Sequence, residues 1–159
     1  QEISAAISES IALLKDMCPE DVQILCTISP VRHTKDGMVE NTWSKANLIN
    51  ALHQTISTEK NVHYLPIYEI MLDDLRDYRF YKEDLIHPND QAIQYIWEKF
   101  GNAYFSEKTK EFIAESLKIK QSLNHKPSDE KSIKYLEFQR NLELKIKEHQ
   151  AKVKHKIFY

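Results

Sequence analysis

The chain has 159 residues, 42% hydrophobic and 29% charged, with a formal net charge of −2. That balance suits one globular domain with an appendage and excludes a disordered chain. No apolar run approaches bilayer-spanning length and the first residues do not read as a signal peptide, so the expectation is a soluble chain, the cytoplasm favoured, with no membrane partner.

Residues 2–17 read as a helix, with Ile3, Ile7, Ile11 and Leu14 on one stripe and Pro19 as its stop. Val22 to Ser29 is a short apolar run closed by Pro30, the pattern of a strand buried on both faces of a parallel sheet. Val31 to Thr42 is polar, holds Gly37 and reads as a loop; Ser44 is placed to cap a helix to about Ser57. Val62 to Pro66 reads as a second strand, which completes a βαβ unit. Ile67 to Ile86 is mostly irregular, with one or two helical turns. Asn89 or Asp90 then caps a helix to about Phe100, with Ile93, Ile96, Trp97 and Phe100 as its apolar stripe. Ser106 opens a helix to about Leu123. After a turn, Ser128 caps a last helix to about His155, with Asp129 and Glu130 in its first turn.

Charge divides the chain near residue 105. Residues 1–105 carry 9 Lys and Arg against 16 Asp and Glu, a net of −7, whereas residues 106–159 carry 13 against 8, a net of +5. The expected organisation is an α/β domain over 1–105, part of a doubly wound parallel sheet, and a basic C-terminal helical hairpin over 106–159. With only Gly37 and Gly101 as glycines, no glycine-rich phosphate-binding loop exists. Cys18 and Cys26 lack ligand spacing, and His53, His63, His125, His149 and His155 show no paired spacing. The sequence therefore points to no metal and no cofactor.

Ligands of open α/β sheets sit beyond the carboxyl ends of the strands. On the strand expectations, Ser29, Arg32 and His33 leave the first strand and Glu69 leaves the second. Arg76 and Arg79 precede a third loop that holds Asp84 and His87. An Asp three residues before a His can hold imidazole Nδ1–H and leave Nε2 free to take a proton from a hydroxyl. The plainer alternatives are a turn-capping Asp84, a solvent-facing His87, an Arg32–Glu40 pair, and a Glu69 that bonds loop amides or pairs with Arg76. Ser29 lacks the small-residue elbow of an activated serine, so a structural role fits it better.

Several stretches together resemble the C-terminal half of the GSCFA-domain family, within the SGNH/GDSL-like hydrolase superfamily. They are Thr27-Ile28-Ser29-Pro30-Val31-Arg32-His33, Asp36-Gly37, Glu40-Asn41, Ser44-Lys45-Ala46, Tyr64-Leu65-Pro66-Ile67-Tyr68-Glu69-Ile70, Asp74 through Tyr81, Asp84-Leu85-Ile86-His87-Pro88 and Tyr95-Ile96-Trp97. The resemblance covers about residues 22–105. It implies a flavodoxin-like, SGNH-type sheet, with Asp84 and His87 as acid and base of a serine triad. Ser29, Arg32, His33, Glu69, Arg76 and Arg79 are then candidates for the substrate pocket. It implies ester hydrolysis or acyl transfer on a small acyl ester, on carbohydrate-like substrates by superfamily analogy. The family's Gly-Ser-Cys-Phe-Ala motif, source of the presumed nucleophile, does not occur in this sequence. The expectation is thus a chain inactive alone, which self-associates or pairs with the missing N-terminal half. The rival reading is a non-catalytic interaction module that uses the basic hairpin. Nucleic acid is a weaker idea, because Glu137, Glu143 and Glu148 interrupt the basic face.

Overall fold

The computed structural model describes residues 1–125, 127 and 132–158. In chain order the elements are helix α1 (Glu2–Met17), strand β1 (Ile24–Cys26), helix α2 (Met38–Ile56) and strand β2 (Val62–Tyr64). A helical turn α3 (Ile67–Glu69), a π-turn (Ile70–Asp74) and a 3-10 turn (Tyr78–Phe80) lead into α4 (Asp90–Tyr104), α5 (Glu107–Leu123) and α6 (Ile133–Gln150).

The doubly wound sheet expected from the sequence is absent: among the described residues the only sheet is the parallel pair β1–β2, and the fold is mostly helical. The pair is in the register Ile24 with Val62, Leu25 with His63 and Cys26 with Tyr64. The βαβ connectivity is as expected, but each strand is three residues long. β1 is half-buried rather than covered on both faces. The apolar run continues past Cys26, yet Thr27 and Ser29 are exposed and only Ile28 is buried. Hydrophobicity alone thus overstated the strand, because pairing ends where no further strand is available to accept its amides.

The polar segment before α2 is shorter than expected. Gly37 takes φ 112° and ψ 163° at the helix N-cap, a backbone form nearly restricted to glycine. The helix starts at Met38, and Ser44 lies inside it rather than capping it. Ile11 of α1, Ala51 and Leu52 of α2, Val62 and Ile28 are all buried.

A second cluster holds Met71, Leu75, Tyr81 and Ala92, with Phe80, Tyr95 and Ile96 packed against it. The π-turn sets its geometry: the Leu75 amide bonds to Ile70 O five residues back, which turns both Met71 and Leu75 inward. Helix α4 is rooted by Asn89, whose Oδ1 accepts from the Ala92 amide and whose Nδ2 donates to the carbonyls of Arg79 and Tyr81. This cap aims Ala92 at the core. Ile93 and Trp97, expected on the inner stripe, are therefore exposed.

The chain divides into two compact units, the first Gln1–Lys99 and the second from Phe100 onward. In the second, α5 and α6 form an antiparallel hairpin. Phe112 and Ser116 of α5 meet His149 near the end of α6, and His125 meets Phe138 near its start. Ser106 and Ser132 cap the two helices. The expected cap at Ser128, with Asp129 and Glu130, lies outside the described residues.

Candidate functional site

Tyr81 and Pro88 form an antiparallel bridge, and between them the chain makes a tight loop. The Lys82 amide donates to His87 O at 2.8 Å, and the Leu85 amide to Lys82 O at 2.9 Å. To close, the loop places Leu85 at φ 55°, the left-handed region that side chains disfavour. Asp84 organises the tip. Its Oδ1 accepts from the amides of Ile86 (2.8 Å) and His87 (3.0 Å), and its Oδ2 accepts from His87 Nδ1 at 2.7 Å.

An ionised carboxylate only accepts, so Nδ1 carries the proton, and in the neutral imidazole Nε2 then presents a lone pair. Among the described residues no hydrogen bond occupies Nε2. The His87 amide, its imidazole and the Ile86 amide, in that order, hold the Asp84 carboxyl far below the usual carboxylate range. Both side chains are about half exposed. The expected Asp–His hydrogen bond is therefore present, and the turn-capping role set against it is present as well: one carboxylate does both, with a different oxygen for each.

The other candidate residues divide. Arg32 joins the loop: its Nη1 donates to Leu85 O at 2.9 Å, its amide to Ile86 O at 3.4 Å, and its guanidinium lies 4.3 Å from the Tyr81 ring centroid. His33 turns instead to Asp36, with Nε2 donating to Oδ2 at 3.0 Å, while its amide is fixed by the buried Asn41. Ser29 Oγ accepts from the Val31 amide at 3.3 Å, a turn role, and its carbonyl accepts from Lys45 Nζ. Burial pulls the Lys45 ammonium down from its ordinary range. Glu69 meets neither loop amides nor Arg76. Both its oxygens accept from the Tyr64 hydroxyl, and burial followed by that carboxylate pushes the Tyr64 phenol far up. Arg76 pairs with Asp73 at 2.7 Å and Arg79 with Asp77 at 4.0 Å, both pairs solvent-exposed.

Next to the loop is a small open cleft of about 210 Å³, with Met71, Leu72 and Leu75 as its apolar part and Arg32, Arg76, Asp77, Tyr78 and Tyr81 on its edge, so that Arg32 and Arg76 of the expected pocket residues meet there. Among the described residues no cluster of three His, Cys, Asp or Glu side chains is placed to hold a metal ion, and no helix is long and apolar enough to cross a membrane.

The sequence reading assigned no role to Tyr78 and Tyr81, although the Arg32 guanidinium lies over both rings. The alternation of Arg and Tyr from Arg76 to Tyr81 was the available signal. It also passed over the buried pair Ser116–His149, for which residues 33 apart offered none.

The sequence model of the GSCFA family matches residues 1–100, and the chain belongs to that family. Neither a curated protein nor a solved structure matches the chain.

Proposed function

We propose that this GSCFA-family chain carries the acid and base of an SGNH-type serine hydrolase, an esterase or acyl transferase acting on a small acyl ester. Asp84 is the acid and His87 the base. The observation that carries the reading is the 2.7 Å bond from His87 Nδ1 to Asp84 Oδ2, with no hydrogen bond to Nε2 among the described residues. Nε2 takes the proton of a serine hydroxyl as the oxygen attacks the ester carbonyl, and returns it to the departing alkoxide. Asp84 keeps the imidazole in the Nδ1–H tautomer and stabilises the imidazolium between these steps. It remains ionised throughout, as its strongly lowered carboxyl requires.

The serine is proposed to come from the Gly-Ser-Cys-Phe-Ala segment for which the family is named, which this sequence does not include. The cleft beside the loop is a candidate seat for the acyl group, with Leu72 and Tyr78 at its surface and Met71 and Leu75 buried behind them. The test is fluorophosphonate labelling and ester hydrolysis by the full-length protein and by its His87→Ala form. Labelling of the motif serine that is lost in the variant supports the reading. Esterase turnover by the 159-residue chain alone, with label on Ser29 or Ser44, overturns it.

A further inference from the structure

We propose that Arg32 is the positioning residue of the Asp84–His87 pair, and that it acts by holding Leu85 in the left-handed backbone form on which the pair depends. The inference rests on the reading of His87 as a base and extends it to a residue 53 positions earlier in the chain.

The loop has a structural difficulty. In this loop the Ile86 and His87 amides both reach Asp84 Oδ1 with the backbone reversed at Leu85, which lies at φ 55°. A non-glycine residue resists that conformation, and a short exposed loop has other forms open to it. The reversal also turns two carbonyls, Leu85 O and Ile86 O, away from the loop. Arg32 meets both, the first through its guanidinium and the second through its own amide.

The guanidinium is itself fixed. It lies over the Tyr81 ring at 4.3 Å and the Tyr78 ring at 5.5 Å, and Tyr81 is the residue whose bridge to Pro88 closes the loop. One side chain therefore ties the base of the loop to its tip. Among the described residues no carboxylate lies within ion-pair distance of Arg32, so a salt bridge does not explain its placement. A planar, stacked group with directional N–H donors suits the double task, and a lysine ammonium does not.

The experiment reads the His87 ring directly. In the uniformly ¹⁵N-labelled chain, nitrogen–proton correlation spectra report the ratio of Nδ1–H to Nε2–H tautomers at neutral pH. The wild type is expected in the Nδ1–H form. Arg32→Ala is expected to lower that ratio roughly tenfold, the scale of one left-handed residue released, with the far-ultraviolet circular dichroism unchanged. Arg32→Lys is expected to follow Ala, and it gives the same measurement if Ala disturbs the fold. Adding Leu85→Gly, which removes the steric penalty, is expected to restore the ratio in the Arg32→Ala background.

An unchanged ratio in both Arg32 variants overturns the proposal, as does a folded double variant that is not restored. These outcomes are distinct from failure of the base reading itself, which would show as a wild-type ring already in the Nε2–H form.

Discussion

Ser116 Oγ and His149 Nε2 lie 2.7 Å apart across the α5–α6 hairpin, and the same hydroxyl lies 3.0 Å from Phe112 O. The hydroxyl has one proton. The consistent arrangement is Nε2–H donating to Oγ, which donates to the Phe112 carbonyl. The imidazole is stacked on the Phe112 ring with centroids 4.2 Å apart, and among the described residues its buried Nδ1 has no partner, as suits the neutral ring.

Protonation would place an unpaired N–H donor and a charge in that site, at 1% exposure. Burial lowers the His149 pKa from its ordinary 6.5; Lys152 lowers it further and Glu115 works the other way. The unfolded chain thus binds the extra proton first, and stability falls as pH drops through 6.5 toward the lower folded value. Melting followed by circular dichroism should show the hairpin less stable at about pH 5.5 than at about pH 7.5. His149→Phe, which keeps the stack, should remove most of that difference.

Asp84 behaves as an acid-labile fixture. Its folded pKa lies below the ordinary value of 3.8, so its contribution is complete above that value and is lost as pH falls toward the folded one. Asp84→Asn keeps an acceptor for the Ile86 and His87 amides but releases the ring. The Nδ1–H preference of His87 should weaken in that variant with the fold intact, as imidazole correlation spectra would show.

Gly37→Ala should destabilise by on the order of 1–3 kcal/mol, because φ 112° is strained for any side chain, whereas the exposed Glu40 carboxylate near the added Cβ can swing aside. Urea denaturation measures this. Met71→Ala, at a fully buried position of the second cluster, should cost about 2–5 kcal/mol by the same measurement.

Among the described residues the two-stranded parallel sheet has two open edges, and Met38, Val39 and Trp43 of α2 and Ile93 of α4 are exposed apolar residues. Such surfaces favour association. Sedimentation at micromolar concentration should show copies of the chain pairing, or pairing with an added N-terminal half of the family domain. A monomer under both conditions would count against the proposed role as one half of an enzyme.

Local patterns were legible where a few neighbouring residues decide the outcome. The stripe and Pro19 placed α1 correctly, and the three-residue spacing of Asp84 and His87 allowed both their bond and a turn-capping Asp84, which the loop combines. Features set by distant partners were not legible. The sheet stopped at three residues per strand because pairing depends on another strand. Ser44 read as a cap because nothing in the sequence shows that Gly37 has already started the helix. Ile93 and Trp97 fit an inner stripe until Asn89 turned α4 about its axis. Glu69 had several nearby partners to choose from, and the Tyr64 hydroxyl, presented by β2, took both oxygens.

The π-turn at Ile70–Asp74 makes this part of the chain sensitive to length rather than to spelling. Deleting a single residue there would return the backbone to ordinary α-helical spacing and rotate everything downstream by about 100°. Leu75 would leave the core, and Asp74 would lose the Tyr95 hydroxyl and the Lys99 ammonium that it now accepts from. The side chain at Asp73 can vary with modest effect, but relatives of this protein should show no insertion or deletion between Ile67 and Tyr81.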